Sequence, residues 1–276
     1  MRSKAVGCWR PGSARRNMSM TTFPEVTEKS GDPATPGQIV DMAYRYRWAR
    51  DYCRGKRVFE VACGTGQGLC IIASVAREVS GGDIAPALLQ IARQSHGSRF
   101  SLHELEASDL PVSEHSLDVL ILFEALYYLP SADDFLREAR RVLAPDGYLL
   151  LTTTNKDVFD FVPSPLSRHY YGILELSELL SRHRFAYEFF GYSRTSDLPL
   201  RHRVLRPLKM VARTLRLVPR TMRGKARVRR LLFGSLPAMP QDLSTVNLSY
   251  SPPRSLPAGR PDCEHRYVFC AARLAG

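Results

Sequence analysis

The chain has 276 residues, of which 44% are hydrophobic, and its formal net charge is +12 at pH 7. This length suits one large domain, or one domain with an insertion. No stretch approaches the roughly 20 consecutive apolar residues of a transmembrane helix, so we expect no membrane span.

The cysteines show no metal-site pattern, since none forms a CxxC pair and no His or Cys cluster has zinc spacing. We therefore expect no bound metal, and reduced thiols that pack inside a cytoplasmic protein. A disulfide between Cys263 and Cys270 is the alternative. The six cysteines are Cys8, Cys53, Cys63, Cys70, Cys263 and Cys270.

Residues 1–24 contain five basic residues and no acidic residue. They lack the apolar stretch of a secretory signal, and we interpret them as a disordered basic extension.

From residue 57 onward, strand and helix patterns alternate. Strands are predicted at 57–62, 78–83, 99–104, 117–123, 148–154, 185–191 and 266–272. Helices are predicted at 66–76, 86–94, 132–143 and 175–183, with a turn at 145–147. This alternation predicts βαβ units and a mostly parallel, doubly wound α/β sheet. Ligands on such sheets bind at the carboxyl ends of the strands.

A glycine-rich turn follows the first predicted strand. Gly64, Gly66 and Gly68 can adopt tight backbone angles and leave no side chain to block a ligand. The following helix would point its N-terminus at the same place. Nicotinamide enzymes share this kind of turn, so the turn alone does not identify the ligand.

Acidic and aromatic residues follow the later strands. Asp83 ends the second predicted strand, where a carboxylate can accept both ribose hydroxyls of an adenosine. Asp109 follows the third strand and can accept an adenine amino group. Phe123 and Glu124 follow the fourth strand and can wall the same site.

In this order and with these spacings, the motifs resemble those of class I S-adenosylmethionine-dependent methyltransferases, specifically the branch that acts on small molecules and glycans. The resemblance covers roughly residues 40–192 and includes Arg45 before the sheet and the helix and turn at 138–147. It implies a Rossmann-like sheet of seven strands with the last strand antiparallel, and S-adenosyl-L-methionine as cofactor. The cofactor contacts that we predict from the motifs and the resemblance are Tyr46, Glu60, Ala62, Gly64, Gly66, Asp83, Ile84, Ser108, Asp109, Leu110, Phe123 and Glu124.

Methyl transfer to an alcohol also needs a base to take the hydroxyl proton. His169, on the long loop after the fifth strand, is the candidate; a packing or surface histidine is the alternative. Residues 155–157 end that strand and could also touch the acceptor. The Asn/Asp-Pro-Pro-Tyr motif is absent after the fourth strand, which disfavours methylation of exocyclic DNA amines.

A long basic segment separates the sixth and seventh predicted strands. Residues 201–241 contain twelve Lys or Arg and no acidic residue. Apolar residues at helical spacing between 204 and 218 predict a basic amphipathic helix, which can lie on an anionic membrane. A lid over an anionic substrate, a nucleic-acid surface and a helix packed on the domain are the alternatives.

The sequence therefore divides into a disordered extension (1–24), a cofactor-binding core (25–192), a basic helical insertion (193–264) and a final antiparallel strand (265–276). We expect a cytoplasmic enzyme that methylates, by O-methylation, a small molecule or a sugar-containing glycan or lipid precursor. It would contact an anionic membrane peripherally through residues 201–233. An RNA methyltransferase that uses the insertion, and a non-catalytic cofactor-binding partner protein, are the rivals.

Overall fold

The computed structural model describes residues 27–164, 166–197 and 236–274. Most predicted elements are present, with bounds shifted by a few residues. The helices are α1 (Pro36–Arg50), α2 (Leu69–Ala73), α3 (Pro86–His96), α4 (Ala132–Val142) and α5 (Ile173–Arg182). The strands are β1 (Arg57–Val61), β2 (Glu78–Asp83), β3 (Ser101–Glu104), β4 (Leu117–Phe123), β5 (Leu143–Thr154), β6 (Phe185–Arg194), β7 (Arg254–Leu256) and β8 (His265–Leu274).

The described strands form one mixed sheet in the order β3-β2-β1-β4-β5-β8-β6-β7. Strands β1 to β5 pair in parallel, whereas β8 pairs antiparallel with both β5 and β6. The Rossmann-like α/β fold and the antiparallel last strand are therefore confirmed.

The predicted count of seven strands is wrong, because the sheet has an eighth. The added strand, β7, pairs antiparallel with Phe189, Phe190 and Gly191 of β6. It has only three residues, and Pro253 and Pro257 flank it. A strand this short and bounded by proline shows no alternating pattern in the sequence, and proline suits a sheet edge.

Residues 193–264 were predicted to form a basic helical insertion. Their described parts hold β7 and two short 3-10 helices, Thr195–Asp197 and Leu243–Thr245. The amphipathic stretch and its proposed membrane surface, 201–233, lie outside the described residues, as does the extension 1–24. Both stay predictions.

The position of strand β4 inside the sheet explains why its sequence is an unbroken apolar run. Leu120 and Leu122 belong to the core on the face covered by α4 and α5, whereas Val119 and Ile121 belong to the core on the face covered by α1. A central parallel strand is buried on both faces and therefore carries apolar side chains at every position.

Helix α1 was not predicted, although it brings Arg45 and Tyr46 to the sheet. Its buried face mixes these polar residues with apolar ones, so the sequence shows no clean apolar stripe. A capping box does mark its start: Gln38 N–H donates to Thr35 Oγ1, and Thr35 N–H donates back to Gln38 Oε1.

The chain preceding α1 pairs with residues that precede β7. Gly31 N–H donates to Met239 O and Met239 N–H donates to Asp32 O, both at 2.8 Å. Met239 is buried, so this segment is packed onto the domain. In the described ranges, no helix combines the length and hydropathy that crossing a bilayer requires. Cys263 is exposed, Cys270 is buried, and both are free thiols.

Candidate active site

A cavity of about 380 Å³ opens at the carboxyl ends of the parallel strands. Residues that follow β1, β2, β3 and β4 line it, together with the last residue of β5, residues of α1 and β8, and residues 27 and 28. This is the edge at which a doubly wound sheet is expected to bind its ligand.

The glycine-rich turn forms part of the cavity wall. Ala62, Gly64 and Gly66 have φ of 56°, 57° and 73°, in the left-handed region that glycine adopts most readily. At Gly68, a Cβ atom would overlap the ring of Tyr46, so only glycine leaves room for that ring. Helix α1 and the turn therefore depend on each other for their shape.

Asp83 lies at the end of β2 and is buried. Its carboxylate accepts the N–H groups of Gly64 and Ala85, each at 2.9 Å. Burial raises the pKa of Asp83, and these backbone hydrogen bonds oppose the rise. The carboxylate is therefore held in place at the cavity wall, where it can accept further hydrogen bonds from hydroxyl groups.

Glu60, on β1, is a second buried carboxylate. Tyr46 donates its hydroxyl hydrogen bond to Glu60 Oε1 at 2.6 Å, while Oε2 is buried and has no hydrogen-bond partner in the described structure. Burial raises the pKa of Glu60 to about 7, although the Tyr46 hydrogen bond and the charge of Arg45 lower it. Glu60 therefore fixes the hydroxyl of Tyr46, a residue that lines the cavity.

Glu124 follows β4 on the opposite side of β1 from Asp83. Its Oε2 accepts hydrogen bonds from Thr154 Oγ1 at 2.8 Å and from the Tyr127 hydroxyl at 3.1 Å. Its Oε1 is buried with no partner in the described part of the chain. Burial acts to lower the pKa of Arg45, but the charges of Glu124 and Glu28 raise it above its ordinary value.

The predicted cofactor contacts divide into two sets. Tyr46, Ala62, Gly64, Asp83, Ile84, Ser108, Phe123 and Glu124 line the cavity. The other four, which do not line it, are Glu60, Gly66, Asp109 and Leu110.

Local packing accounts for the positions of the last two. Leu110 is buried in the apolar core, and its N–H donates to Glu138 Oε2. Asp109 N–H closes a turn onto Glu106 O, so Glu106 and its next two neighbours line the cavity in its place.

The predicted acceptor residues lie elsewhere. The His169 side chain is 58% exposed, and its Nε2 lies 3.7 Å from Glu175 Oε1. Lys156 pairs with the same carboxylate at 2.7 Å. Asn155 is buried, and its amide donates to the carbonyl oxygens of Asp262 and His265. The structure does not bring His169, Asn155 or Lys156 to the cavity.

Several polar residues that line it were not among the predicted contacts, for example Asp41 and Arg45 of α1, Thr154 of β5 and Tyr267 of β8. The capping box of α1 was a usable signal for the first two. Nothing in the local sequence marks Tyr267, because its position depends on the pairing of β8 with β5. No group of three or more metal-ligating side chains occurs in the described ranges.

Comparisons with known proteins decide the family. Residues 59–151 match the family model described as "Methyltransferase domain". A probable S-adenosylmethionine-dependent methyltransferase from Mycolicibacterium smegmatis is 30% identical over 198 residues, which cover 65% of this chain and 75% of that protein. The chain belongs to the S-adenosylmethionine-dependent methyltransferases. This methyltransferase uses S-adenosyl-L-methionine as its cofactor.

Two further matches, one to a sequence relative and one to a solved structure, support different conclusions. Demethylmenaquinone methyltransferase from Tropheryma whipplei is 33% identical over 156 residues, which cover 53% of this chain and 64% of that protein. The crystal structure of the [4+2]-cyclase SpnF superposes with a TM-score of 0.56 and 19% identity, covering 90% of this chain and 87% of that chain. At that identity, the superposition shows the fold alone.

The residues around the cavity fit the cofactor. Asp83 and Gly64 line the cavity and are hydrogen-bonded to each other, and Glu60, which does not line it, accepts from the hydroxyl of Tyr46, which does. The cavity volume falls within the range of small-molecule and cofactor sites, roughly 300–1,000 Å³.

Proposed function

We propose that the cofactor occupies the part of the cavity at the ends of β1, β2 and β3, and that the methyl acceptor enters beyond β4. We call these the cofactor side and the acceptor side. The order β3-β2-β1-β4-β5 supports this division, because Asp83 and Glu124 lie on strands that flank β1. Neighbouring strands are about 4.8 Å apart, so β2 and β4, which Asp83 and Glu124 end or follow, lie roughly 10 Å from each other across the sheet.

On the cofactor side, Asp83 would accept the ribose hydroxyls, and Ile84 and Ser108 would flank the adenine. Glu60 and Tyr46 would hold the amino-acid end. Bound there, the cofactor supplies an electrophilic methyl group on a sulfonium centre. The protein's task is then to hold the acceptor in line with that methyl group, and positioning can contribute roughly 7–11 kcal/mol.

The acceptor side suits a hydroxyl-bearing molecule with an apolar part, such as a small molecule or a lipid or glycan precursor. It combines the polar side chains of Arg45 and Glu124 with aromatic rings of Phe123, Tyr127 and Tyr267. This combination of an apolar wall with a few polar groups is the observation that carries the proposal. O-methylation is the reaction that such an acceptor would undergo.

The loop after β5 extends this apolar character to the surface. Tyr170 stacks on Tyr127 with ring centroids 4.2 Å apart, and Phe161 packs edge-on against Tyr170 at 4.7 Å. On the same loop, Phe159 and Val162 are 72% and 54% exposed. An acceptor with an apolar tail could contact these side chains, in keeping with the quinone named for the Tropheryma whipplei relative.

Incubation of the protein with methyl-labelled cofactor and a fractionated cell extract tests the proposal. We expect label in the small-molecule or lipid fraction, and much less label when Asp83→Ala replaces the parent protein at limiting cofactor. Label confined to RNA would overturn the acceptor class and favour an RNA methyltransferase.

A further inference from the structure

Glu124 has an unusual backbone for its residue type. Its φ is 50°, in the left-handed region that residues other than glycine rarely adopt. Its N–H donates to Thr152 O at 2.9 Å, so β5 holds the strained turn in place. Such strain persists only where the surrounding structure enforces it, and it clusters at functional sites.

Hydrogen bonds in the described structure reach only one oxygen of the Glu124 carboxylate. Thr154 and Tyr127 both donate to Oε2, whereas Oε1 is buried without a described partner. A buried polar atom without a hydrogen bond is unfavourable. The carboxylate of a cavity-lining residue therefore has acceptor capacity that a ligand hydroxyl would satisfy.

Two other titratable residues that line the cavity, Asp41 and Tyr127, already have partners. Asp41 Oδ2 lies 3.7 Å from Arg266 and accepts from the Tyr267 hydroxyl at 3.3 Å. Burial raises the pKa of Tyr127 well above its ordinary value, so this phenol stays protonated and acts as a donor to Glu124.

We propose that the Glu124 carboxylate binds the acceptor hydroxyl and takes its proton during methyl transfer. This inference rests on the proposed function. The acceptor oxygen forms a bond to the methyl carbon while its proton passes to Glu124. The electron pair of the broken carbon–sulfur bond stays on sulfur, so the products are a methyl ether and neutral S-adenosylhomocysteine. Arg45 stabilises the carboxylate before the proton arrives.

Glu124→Gln tests the proposal with little change in shape. The Gln carbonyl can still accept from Thr154 and Tyr127, but the amide is not a base. The probe is the extract fraction that the parent protein labels. We expect labelling at least about 100-fold slower at saturating cofactor, in line with the 10²–10⁴-fold of a general base. Affinity for S-adenosylhomocysteine, measured by calorimetry, should change less than about threefold.

Glu178→Gln is the matched control, because Glu178 is exposed on α5 and lies outside the cavity. It should label at the parent rate. Thr154→Val is a second variant, which removes one hydrogen bond that orients the carboxylate and leaves the carboxylate in place. We expect it to label at a rate between those of Glu124→Gln and the parent. Labelling by Glu124→Gln within threefold of the parent rate would overturn the proposal.

A binding measurement needs no acceptor. In one cofactor analogue, a carbon that carries an amino group replaces the methylated sulfur, so a protonated amine stands near the point of transfer. The parent should bind this analogue about tenfold more tightly than S-adenosylhomocysteine, and Glu124→Gln should lose that preference. A preference that survives the substitution would place Glu124 away from the reaction. Failure of the parent to bind S-adenosylhomocysteine at all would instead refute the proposed function.

Discussion

The two sides of the cavity are assembled in different ways. The proposed cofactor side is built largely from one short stretch, from Val61 at the end of β1 to Asp83 at the end of β2. The acceptor side combines Arg45, Glu124 and Tyr267, which come from α1, the end of β4 and β8. Residues that are close in sequence form a recognisable motif, whereas residues that meet only after folding do not.

The largest effect on cofactor affinity should come from breaking the cofactor side alone. Asp83→Ala removes the carboxylate proposed to hold two ribose hydroxyls, and hydrogen bonds to a charged group contribute about 1.5–3 kcal/mol each. We expect calorimetry to show affinity for S-adenosylhomocysteine weakened at least about tenfold. Asp118→Ala is the control, because Asp118 pairs with Arg57 at 3.1 Å and does not line the cavity. An unchanged dissociation constant in folded Asp83→Ala would refute the assignment.

A second effect concerns the buried carboxylate of Glu60 and the pH dependence of the protein's stability. Burial raises the pKa of Glu60 from 4.5 to about 7. Between these pH values the folded protein binds more protons than the unfolded chain, so this group's contribution to stability is largest below about pH 4.5 and is lost as the pH rises through 7. The unfavourable contribution at pH 8 is on the order of 3 kcal/mol.

Glu60→Gln keeps an acceptor for the Tyr46 hydroxyl and removes the titration. Without cofactor, we expect this variant to be more stable than the parent at pH 8, with the gap shrinking towards pH 5. Urea unfolding across this pH range measures it. A stability difference that does not vary with pH would contradict the buried-carboxylate explanation.

A smaller effect, on stability, should come from filling the space at Gly68 of the glycine-rich turn. Gly68→Ala would force the Tyr46 ring to move, and overpacking of this kind is destabilising by about 1–3 kcal/mol. Gly37→Ala is the control, because nothing lies within 4 Å of a Cβ at that position in α1. We expect it to be neutral or stabilising by up to about 1 kcal/mol. Thermal unfolding that ranks the two variants equally would contradict this packing.

The smallest effect should come from substituting His169. This prediction tests whether His169 acts as the base for the acceptor. Because this imidazole is exposed and faces Glu175, we expect His169→Ala to label the acceptor fraction within about twofold of the parent rate. A loss of 100-fold would instead restore His169 as the base and require the loop after β5 to close over the cavity.

The sequence by itself predicted the order of the strands and helices, the glycine-rich turn and the carboxylate at Asp83. These features depend on local patterns: apolar runs in buried strands, and glycine at positions with positive φ such as Gly64. Where the local pattern was weak, the prediction failed. Helix α1 has a mixed buried face, and β7 is too short to show alternation.

Only the tertiary structure decided which residues line the cavity beyond β4. His169 and Glu124 were both candidates on loops after strands, and only Glu124 lines the cavity. The reason is that strand order, not sequence distance, sets which side chains meet. Placing β8 beside β5 brings Tyr267 to the cavity, and α1 packs across β1 and β4 so that Arg45 reaches it.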